Sequence, residues 1–183
     1  MKAAFLACSF AGITYIPMDK AIPKERVEKI IEQINPFCII GDFTSSMVKN
    51  ITTDDIYEIM NKESFDEIEK IYLKGNDIYY IIYTSGTTGV PKGVKVTYKN
   101  LDSCINWLRT IVKPNKEIFL NQANFSFDLS VADLYLSLIT GSEQFALDNA
   151  VSFDFKNIFA QLKESKGTIA VFTPTFAEML MMD

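Results

Sequence analysis

The sequence predicts an α/β fold, with a mostly parallel, doubly wound sheet and flanking helices. Short runs of β-branched and aromatic residues alternate along the chain with longer segments whose apolar residues recur at helical spacing. Such strict alternation is typical of parallel sheets, because helical crossovers join their strands. The 183 residues with 48% hydrophobic composition are enough for a buried core. We find no internal repeat and no low-complexity linker.

The first half of the chain carries strands and helices of unequal strength. In order, the pattern predicts an apolar helix at 2–10, a strand at 13–17, a helix at 24–34 opened by Pro23, a buried strand at 37–40, weak helices within 42–74, and a central strand at 78–83. The apolar stripe of the second helix consists of Val27, Ile30, Ile31 and Ile34. A stripe of this kind predicts a helix that lies on a core.

The second half alternates more regularly. It predicts strands at 94–97, 118–121, 144–147 and 168–172, and helices at 100–112, 129–139, 153–162 and from Pro174 onward. The inner face of the first of these helices is predicted to be Leu101, Ile105, Leu108 and Val112. In the last helix, Thr175 and Glu178 have the spacing of a capping box.

Composition excludes several kinds of chemistry. Histidine is absent, which rules out Ser-His-Asp and Cys-His catalysis and His-ligated zinc. The net charge of −5 and the scattered basic residues predict small-molecule or protein partners and no nucleic acid. Without a membrane-length apolar run or a signal-peptide pattern, we expect no membrane insertion and a cytoplasmic location. Cys8, Cys38 and Cys104 are predicted to be buried, reduced thiols, because they are odd in number, far apart and in mostly apolar surroundings.

A loop rich in glycine and hydroxyl residues, TSGTTGVPKG at 84–93, separates two predicted strands. Glycines at 86, 89 and 93 give this loop the freedom to adopt positive φ and let backbone N–H groups approach a phosphate, and serine and threonine hydroxyls donate to its oxygens. Lys92 and Lys95 add positive charge. Pro91 before Lys92 disfavours a Walker A loop, and no G-x-G pair indicates a dinucleotide fold. On composition alone an ordinary β-turn is an equal alternative.

The order of residues 83–94, YTSGTTGVPKGV, closely resembles the phosphate-contacting signature of the adenylate-forming, or AMP-binding, enzymes. Members of that family join a carboxylate to ATP, releasing pyrophosphate, and then pass the acyl group to a thiol. The resemblance implies ATP as cofactor and a catalytic role for Lys92, with loop amides and hydroxyls stabilising charge at the phosphate. The ATP-binding residues that it implies are Thr84, Ser85, Gly86, Thr87, Thr88, Gly89 and Lys92.

Asp128 lies in FSFDLSVADLY, where a predicted strand and loop give way to a helix. On spacing alone it is a candidate helix N-cap, for which aspartate is a favoured residue. In the family members that activate amino acids, the aspartate of this Phe-Asp-x-Ser segment binds the substrate's α-ammonium group. Fatty acids have no such amine. The resemblance therefore implies an amino acid substrate with Asp128 as its anchor.

Three longer segments narrow the resemblance to one branch of the family. They are YIPMDKAIPKERVEKII, FLNQANFSFDLSVADLY and TPTFAEMLMMD. That branch activates D-alanine as D-alanyl-AMP and transfers it to the phosphopantetheine thiol of a small carrier protein, for D-alanylation of lipoteichoic acid. Thr175 falls in a segment near the family's substrate pocket and is interpreted as structural. The alternatives are an adenylation domain of a nonribosomal peptide synthetase, acting on another amino acid, and a degenerate, non-catalytic nucleotide-binding module.

Residues 1–183 are expected to form part of an N-terminal AMP-binding domain. The family carries a Tyr-Gly-Pro-Thr-Glu segment for adenine and magnesium, a Gly-Asp segment for the ribose, and a small C-terminal domain with a lysine that meets the adenylate. None of these is in this sequence, which begins inside an uncapped helix and stops in one that is apolar all round. We therefore expect the Mg²⁺ ligand and the remaining domains outside these residues, and this chain to be inactive alone.

Overall fold

Helices and strands alternate along the structure, a computed structural model that describes residues 1–62, 69–84, 90–113, 115–147 and 155–181. The chain divides into two compact units, Met1–Lys99 and Asn100–Asp183. The elements, in chain order, are α1 (Lys2–Phe10), α2 (Lys24–Ile34), β1 (Cys38–Ile40), β2 (Lys49–Ile51), α3 (Thr53–Met60), β3 (Ile78–Thr84), β4 (Lys92–Thr97), α4 (Tyr98–Val112), β5 (Ile118–Asn121), α5 (Ser130–Thr140), β6 (Glu143–Ala146), α6 (Phe155–Ser165), β7 (Ile169–Ala170) and α7 (Pro174–Leu180).

The first unit contains two strand pairs of opposite kinds. Strands β1 and β2 are parallel, whereas β3 and β4 form an antiparallel hairpin. On its other side β3 makes a parallel bridge between Tyr80 and Tyr15, where the Ile81 N–H donates to the Tyr15 carbonyl at 3.0 Å. Strand β3 therefore has neighbours on both sides, as a central strand does. Within the described residues, the segment predicted as a strand at 13–17 pairs only at Tyr15.

The core beneath α2 follows the predicted apolar stripe. Val27, Ile31 and Ile39 form a buried cluster, so the helix contacts strand β1. The prediction of a buried strand from residue 37 was wrong at its ends, because Phe37 is 80% exposed and Ile40 is 43% exposed. Successive side chains of a strand point to opposite faces, and only Ile39 of this short strand points into the core. The burial predicted for the three cysteines was also wrong, because Cys8 and Cys38 are half-buried and Cys104 is exposed.

The polar stretch after β1 contains one strand, β2, and one helix, α3, within its described residues. A capping box closes the start of α3. The Thr52 hydroxyl accepts from the Asp55 N–H, and the Asp55 carboxylate accepts from the Thr52 N–H at 2.7 Å. The Thr52 hydroxyl also donates to the Asp55 carboxylate at 2.7 Å, and the two hydrogen bonds that this carboxylate accepts from Thr52 lower the pKa of Asp55. Two free backbone donors at the helix start are thus satisfied by one pair of side chains.

The second unit is built around a parallel three-stranded sheet in the order β6, β5, β7. Helices α5 and α6 connect these strands in sequence, as the alternation of elements predicts. Helix α5 is buried around most of its circumference, with Leu134 and Leu136 among its most buried residues. The α/β class with mostly parallel pairing is confirmed, and the elements of this unit begin and end within three residues of their predicted bounds.

Gly167, just before β7, is expected to be intolerant of a larger side chain. A Cβ atom there would lie 2.4 Å from both Cγ and Cδ2 of Leu120, a buried residue of β5. We therefore expect Gly167→Ala to lower the free energy of unfolding by about 1–3 kcal/mol, the usual cost of overpacking a core, as measured by urea unfolding. In a double-mutant cycle, Leu120→Ala is expected to relieve part of that cost. Additive effects of the two substitutions would contradict this interpretation.

Candidate functional site

The described ends of the predicted phosphate loop lie directly opposite each other. Thr84 is the last residue of β3 and Lys92 the first of β4, and the two are cross-strand partners. The Thr84 hydroxyl donates to the Lys92 carbonyl at 3.4 Å, and both residues are exposed. The hairpin therefore presents a hydroxyl and an ammonium group at one end. The predicted residues Ser85, Gly86, Thr87, Thr88 and Gly89 lie outside the described residues.

Gly93 has a packing role in this hairpin. It pairs with Tyr83 inside the β3–β4 ladder, and a Cβ atom there would lie 3.0 Å from Ile81 and 3.1 Å from the Tyr83 ring. The sequence interpretation, in which Gly93 supplies loop freedom, is wrong, because this glycine is extended strand and is not among the positive-φ residues of the described chain. The close approach holds the Tyr83 ring against β4, and partial burial raises the pKa of Tyr83.

Asp128 is exposed in the segment between β5 and α5. Helix α5 has Leu129 as its N-cap, with no side-chain capping bond, and the Asp128 backbone carbonyl accepts from the Val131 N–H at 3.0 Å. The N-cap alternative for the Asp128 side chain was therefore wrong, because the helix begins one residue later than a cap at 128 requires. Among the described residues the Asp128 carboxylate has no hydrogen-bond or ion-pair partner. It is a carboxylate that a cationic ligand can reach.

The sequence analysis missed two buried polar residues, which belong to the two elements on either side of Asp128 in the chain. Asp133 of α5 is fully buried, and its Oδ2 accepts a long hydrogen bond of 3.5 Å from the Asn121 amide of β5. Burial raises the pKa of Asp133 to about 7, with the Asn121 hydrogen bond opposing that rise. Its Oδ1 has no partner among the described residues. A sequence signal existed, since Asp133 is the single acid within the otherwise apolar and hydroxyl-bearing helix SVADLYLSLIT.

The start of α7 differs from its predicted geometry. Thr173 is the N-cap, and its hydroxyl accepts from the Phe176 N–H at 3.3 Å, with Pro174 at the first helical position. The capping box predicted for Thr175 and Glu178 was wrong, because Thr175 lies inside the first turn of the helix. Proline at this position fits the cap that forms, since its missing N–H would have no intrahelical partner.

The two parts of the predicted site fall in different units. Thr84 and Lys92 are adjacent in the first unit, and Asp128 belongs to the second. Among the described residues, no group of three or more His, Cys, Asp or Glu could hold a metal ion. No helix in the described ranges is both long and apolar enough to cross a bilayer.

The profile of the family described as AMP-binding enzyme matches residues 1–183. The chain belongs to the AMP-binding enzymes. It is 39% identical to a D-alanine–D-alanyl carrier protein ligase of Bacillus cereus, in an alignment that covers 98% of this chain and 37% of that protein. This member of the family thus spans about a third of the length of the ligases it matches.

Solved structures of AMP-binding enzymes share the fold of this chain. An o-succinylbenzoate CoA synthetase of Bacillus subtilis, in complex with its acyl-adenylate intermediate, superposes with a TM-score of 0.82 at 21% identity, over 100% of this chain and 49% of that one. The same enzyme in complex with ATP and a magnesium ion gives 0.80 at 19% identity, over 100% of this chain and 50% of that one. At these identities the likeness supports the architecture alone.

Proposed function

We propose that this chain is part of a ligase that uses ATP to activate D-alanine as D-alanyl-AMP and transfers the D-alanyl group to the phosphopantetheine thiol of a carrier protein. The 39% identity to a D-alanine–D-alanyl carrier protein ligase across nearly the whole chain carries this proposal. The product would serve D-alanylation of lipoteichoic acid. The reaction belongs in the cytoplasm, where ATP is available.

The phosphate end of the proposed site is the β3–β4 hairpin. In the first step, a substrate carboxylate oxygen bonds to the α-phosphorus of ATP while the bond to pyrophosphate breaks. Negative charge then builds on the phosphate oxygens. The exposed Thr84 hydroxyl and the Lys92 ammonium group fit this charge as donor and cation, since both residues stand at the same end of the hairpin. The proposal assigns the intervening hydroxyls and amides of residues 85–89 to the same phosphates.

The amine end of the proposed site is Asp128. Its carboxylate is exposed and does not cap α5, so it is available to an ammonium group. A carboxylate and an ammonium group held together away from water form a strong anchor, because either charge left unpaired there is costly.

In the second step the carrier thiolate attacks the activated carbonyl carbon and AMP leaves. The thiol proton is released, and a thioester remains.

Magnesium would neutralise part of the charge on the ATP phosphates. The sequence analysis expects its ligand outside residues 1–183, and this stays a prediction. Within the hairpin, the hydroxyl and the ammonium group can both donate to phosphate oxygens, and the ammonium group has no lone pair with which to bind magnesium.

The test of this function is ATP–pyrophosphate exchange across a panel of D- and L-amino acids. It uses the intact protein, by which we mean the full-length ligase that this chain is proposed to be part of. We expect kcat/KM for D-alanine to exceed that for every other member at least about tenfold, which corresponds to about 1.4 kcal/mol of discrimination. Preference for a bulky L-amino acid would instead support the peptide-synthetase adenylation domain. Absence of exchange with every amino acid would support the degenerate nucleotide-binding module. Transfer is tested with radiolabelled D-alanine and a carrier protein with and without its phosphopantetheine arm.

Residues 1–183 alone are expected to catalyse little exchange with D-alanine, because the family's ribose, magnesium and lysine elements are not in this sequence. The measurement is the same exchange assay, with the intact protein at equal concentration as control and circular dichroism to verify that the shorter chain is folded. Exchange by residues 1–183 at a rate close to that of the intact protein would contradict the assignment of these residues to part of a domain.

A further inference from the structure

Asp133 is an unusual residue in the centre of a buried helix. It is 0% exposed, as is Leu136 three positions later, and the residues on either side of it in α5 are buried too. An aspartate in such a place costs free energy, because burial disfavours its charged form and one of its oxygens has no donor among the described residues. Leucine has the same branched shape, with two methyl groups in place of the two oxygens, and would remove that electrostatic cost. The polar group therefore calls for an explanation beyond packing.

The partner of Asp133 lies at the end of strand β5. Asn121 is 5% exposed, and its side-chain amide donates both to Asp133 Oδ2 at 3.5 Å and to the Ala123 carbonyl at 3.2 Å. Asn121 is thus a two-way link, which connects helix α5 to the first turn of the segment at 122–129. The Asp133 carboxylate orients the amide that makes the second of these contacts.

The same helix holds the far end of that segment. The Ser130 hydroxyl donates to the Phe127 carbonyl at 2.7 Å, and the Val131 N–H donates to the Asp128 carbonyl at 3.0 Å. Between the two ends, the Phe127 N–H donates to the Asn124 carbonyl at 2.9 Å. Helix α5 therefore ties down both ends of the segment that carries Asp128, and Asp133 with Asn121 supplies the attachment at its start.

We propose that Asp133 is a positioning residue, which acts through Asn121 to hold the 122–129 segment and so orients the Asp128 carboxylate toward the substrate's ammonium group. This inference rests on the proposed function, in which Asp128 anchors an amino acid. Asp133 itself is sealed from solvent and does not contact the substrate. Its effect is therefore on the geometry of the anchor and not on the phosphate end of the site.

The test compares variants that break the link with variants that keep it. Asp133→Leu and Asn121→Ala are expected to raise KM for D-alanine about tenfold or more, with KM for ATP changed less than about twofold. Asp133→Asn keeps an acceptor for the Asn121 amide, and we expect KM for D-alanine within about threefold of wild type. Ser137→Ala is the matched control, because Ser137 is another buried polar residue of α5 and its hydroxyl donates only to Leu134 within the helix.

A double-mutant cycle separates positioning from general damage. If Asp133 acts through Asp128, Asp133→Leu has no further effect on KM for the amino acid once Asp128 is alanine. Additive effects on that KM, or equal increases in KM for both substrates, would overturn the inference. Asn121→Ala removes the same hydrogen bond from the side of strand β5. If Asp133→Leu does not fold, the cycle with Asn121→Ala tests the inference in its place.

A measurement without substrate distinguishes this inference from the proposed function. In hydrogen exchange of the intact protein, Asp133→Leu and Asn121→Ala are expected to speed exchange at 123–128 about tenfold, while Ser137→Ala and β5 amides remain as in wild type. Unchanged exchange in that segment would overturn the inference. A wild-type protein that activates no amino acid would refute the proposed function, and the hydrogen exchange would still decide whether Asp133 holds the segment.

Discussion

Replacing Asp128 with alanine is expected to raise KM for D-alanine at least about 30-fold, which corresponds to about 2 kcal/mol, the lower end of the cost of truncating one partner of a desolvated charge pair. KM for ATP is expected to change less than about twofold, because the β3–β4 hairpin is untouched. The physical reason is the loss of the counter-charge that Asp128 offers to the substrate's amine in the proposed site. Exchange kinetics of the intact protein, with each substrate varied in turn, measure both constants.

The control for this substitution is Asp102→Ala, which removes one exposed carboxylate from α4 in the same unit. It is expected to leave both constants unchanged. Equal increases in KM for D-alanine and KM for ATP in Asp128→Ala would indicate that Asp128 has a structural role and does not bind the amine. Stability gives an independent check, since loss of a capping side chain typically costs about 1 kcal/mol. Because Leu129 is the cap, we expect Asp128→Ala to change the free energy of unfolding by less than about 0.5 kcal/mol.

Replacing Asp133 with asparagine is expected to remove a pH dependence of stability. The carboxyl has a pKa of about 7 in the folded state and 3.8 when unperturbed. Between these values the folded chain keeps a proton that the unfolded chain has released, so stability falls as the pH rises and levels off above pH 7. The total loss corresponds to about 4 kcal/mol. At pH 8 we therefore expect Asp133→Asn to be more stable than wild type. At pH 5 we expect this advantage to be smaller.

Hydrogen exchange of the α5 amides in the intact protein measures this effect, after correction for intrinsic exchange rates. The advantage of Asp133→Asn over wild type is expected to grow by about 2–3 kcal/mol from pH 5 to pH 8. Asp102→Asn, which alters an exposed acid of the same unit, is expected to leave the wild-type profile intact. An equal advantage at both pH values would mean that the Asp133 carboxyl does not titrate in this range.

The elements of the second unit were predicted well because the hydrophobic pattern of each strand or helix differs clearly from that of the segments beside it. Strand β5 has its predicted bounds, and Leu101 and Ile105 lie on the buried face of α4 as their spacing indicates. Phe37 shows where the reasoning failed in the first unit. Hydrophobicity predicted its burial, but burial depends on which face of a short strand meets another element.

The antiparallel direction of the β3–β4 pair was not predicted from the sequence. An apolar run predicts a strand but not the direction of its partner, and the alternation of elements predicts only that the sheet as a whole is mostly parallel. The length of the connection indicates the antiparallel direction, because only seven residues separate Thr84 from Lys92. A parallel crossover needs about a dozen residues, whereas a loop of this length joins antiparallel strands.

The sequence by itself determined the family and the chemistry available to it. The order TSGTTGVPKG carries the family resemblance, which predicts phosphate recognition by the loop and amine recognition by Asp128, and the absence of histidine excludes histidine-based catalysis. Only the tertiary structure decided which strands pair, which residue caps α5, and that Asp133 is buried against Asn121. The reason is physical: reactive groups are encoded locally, whereas burial, pKa and strand direction depend on residues distant in the chain.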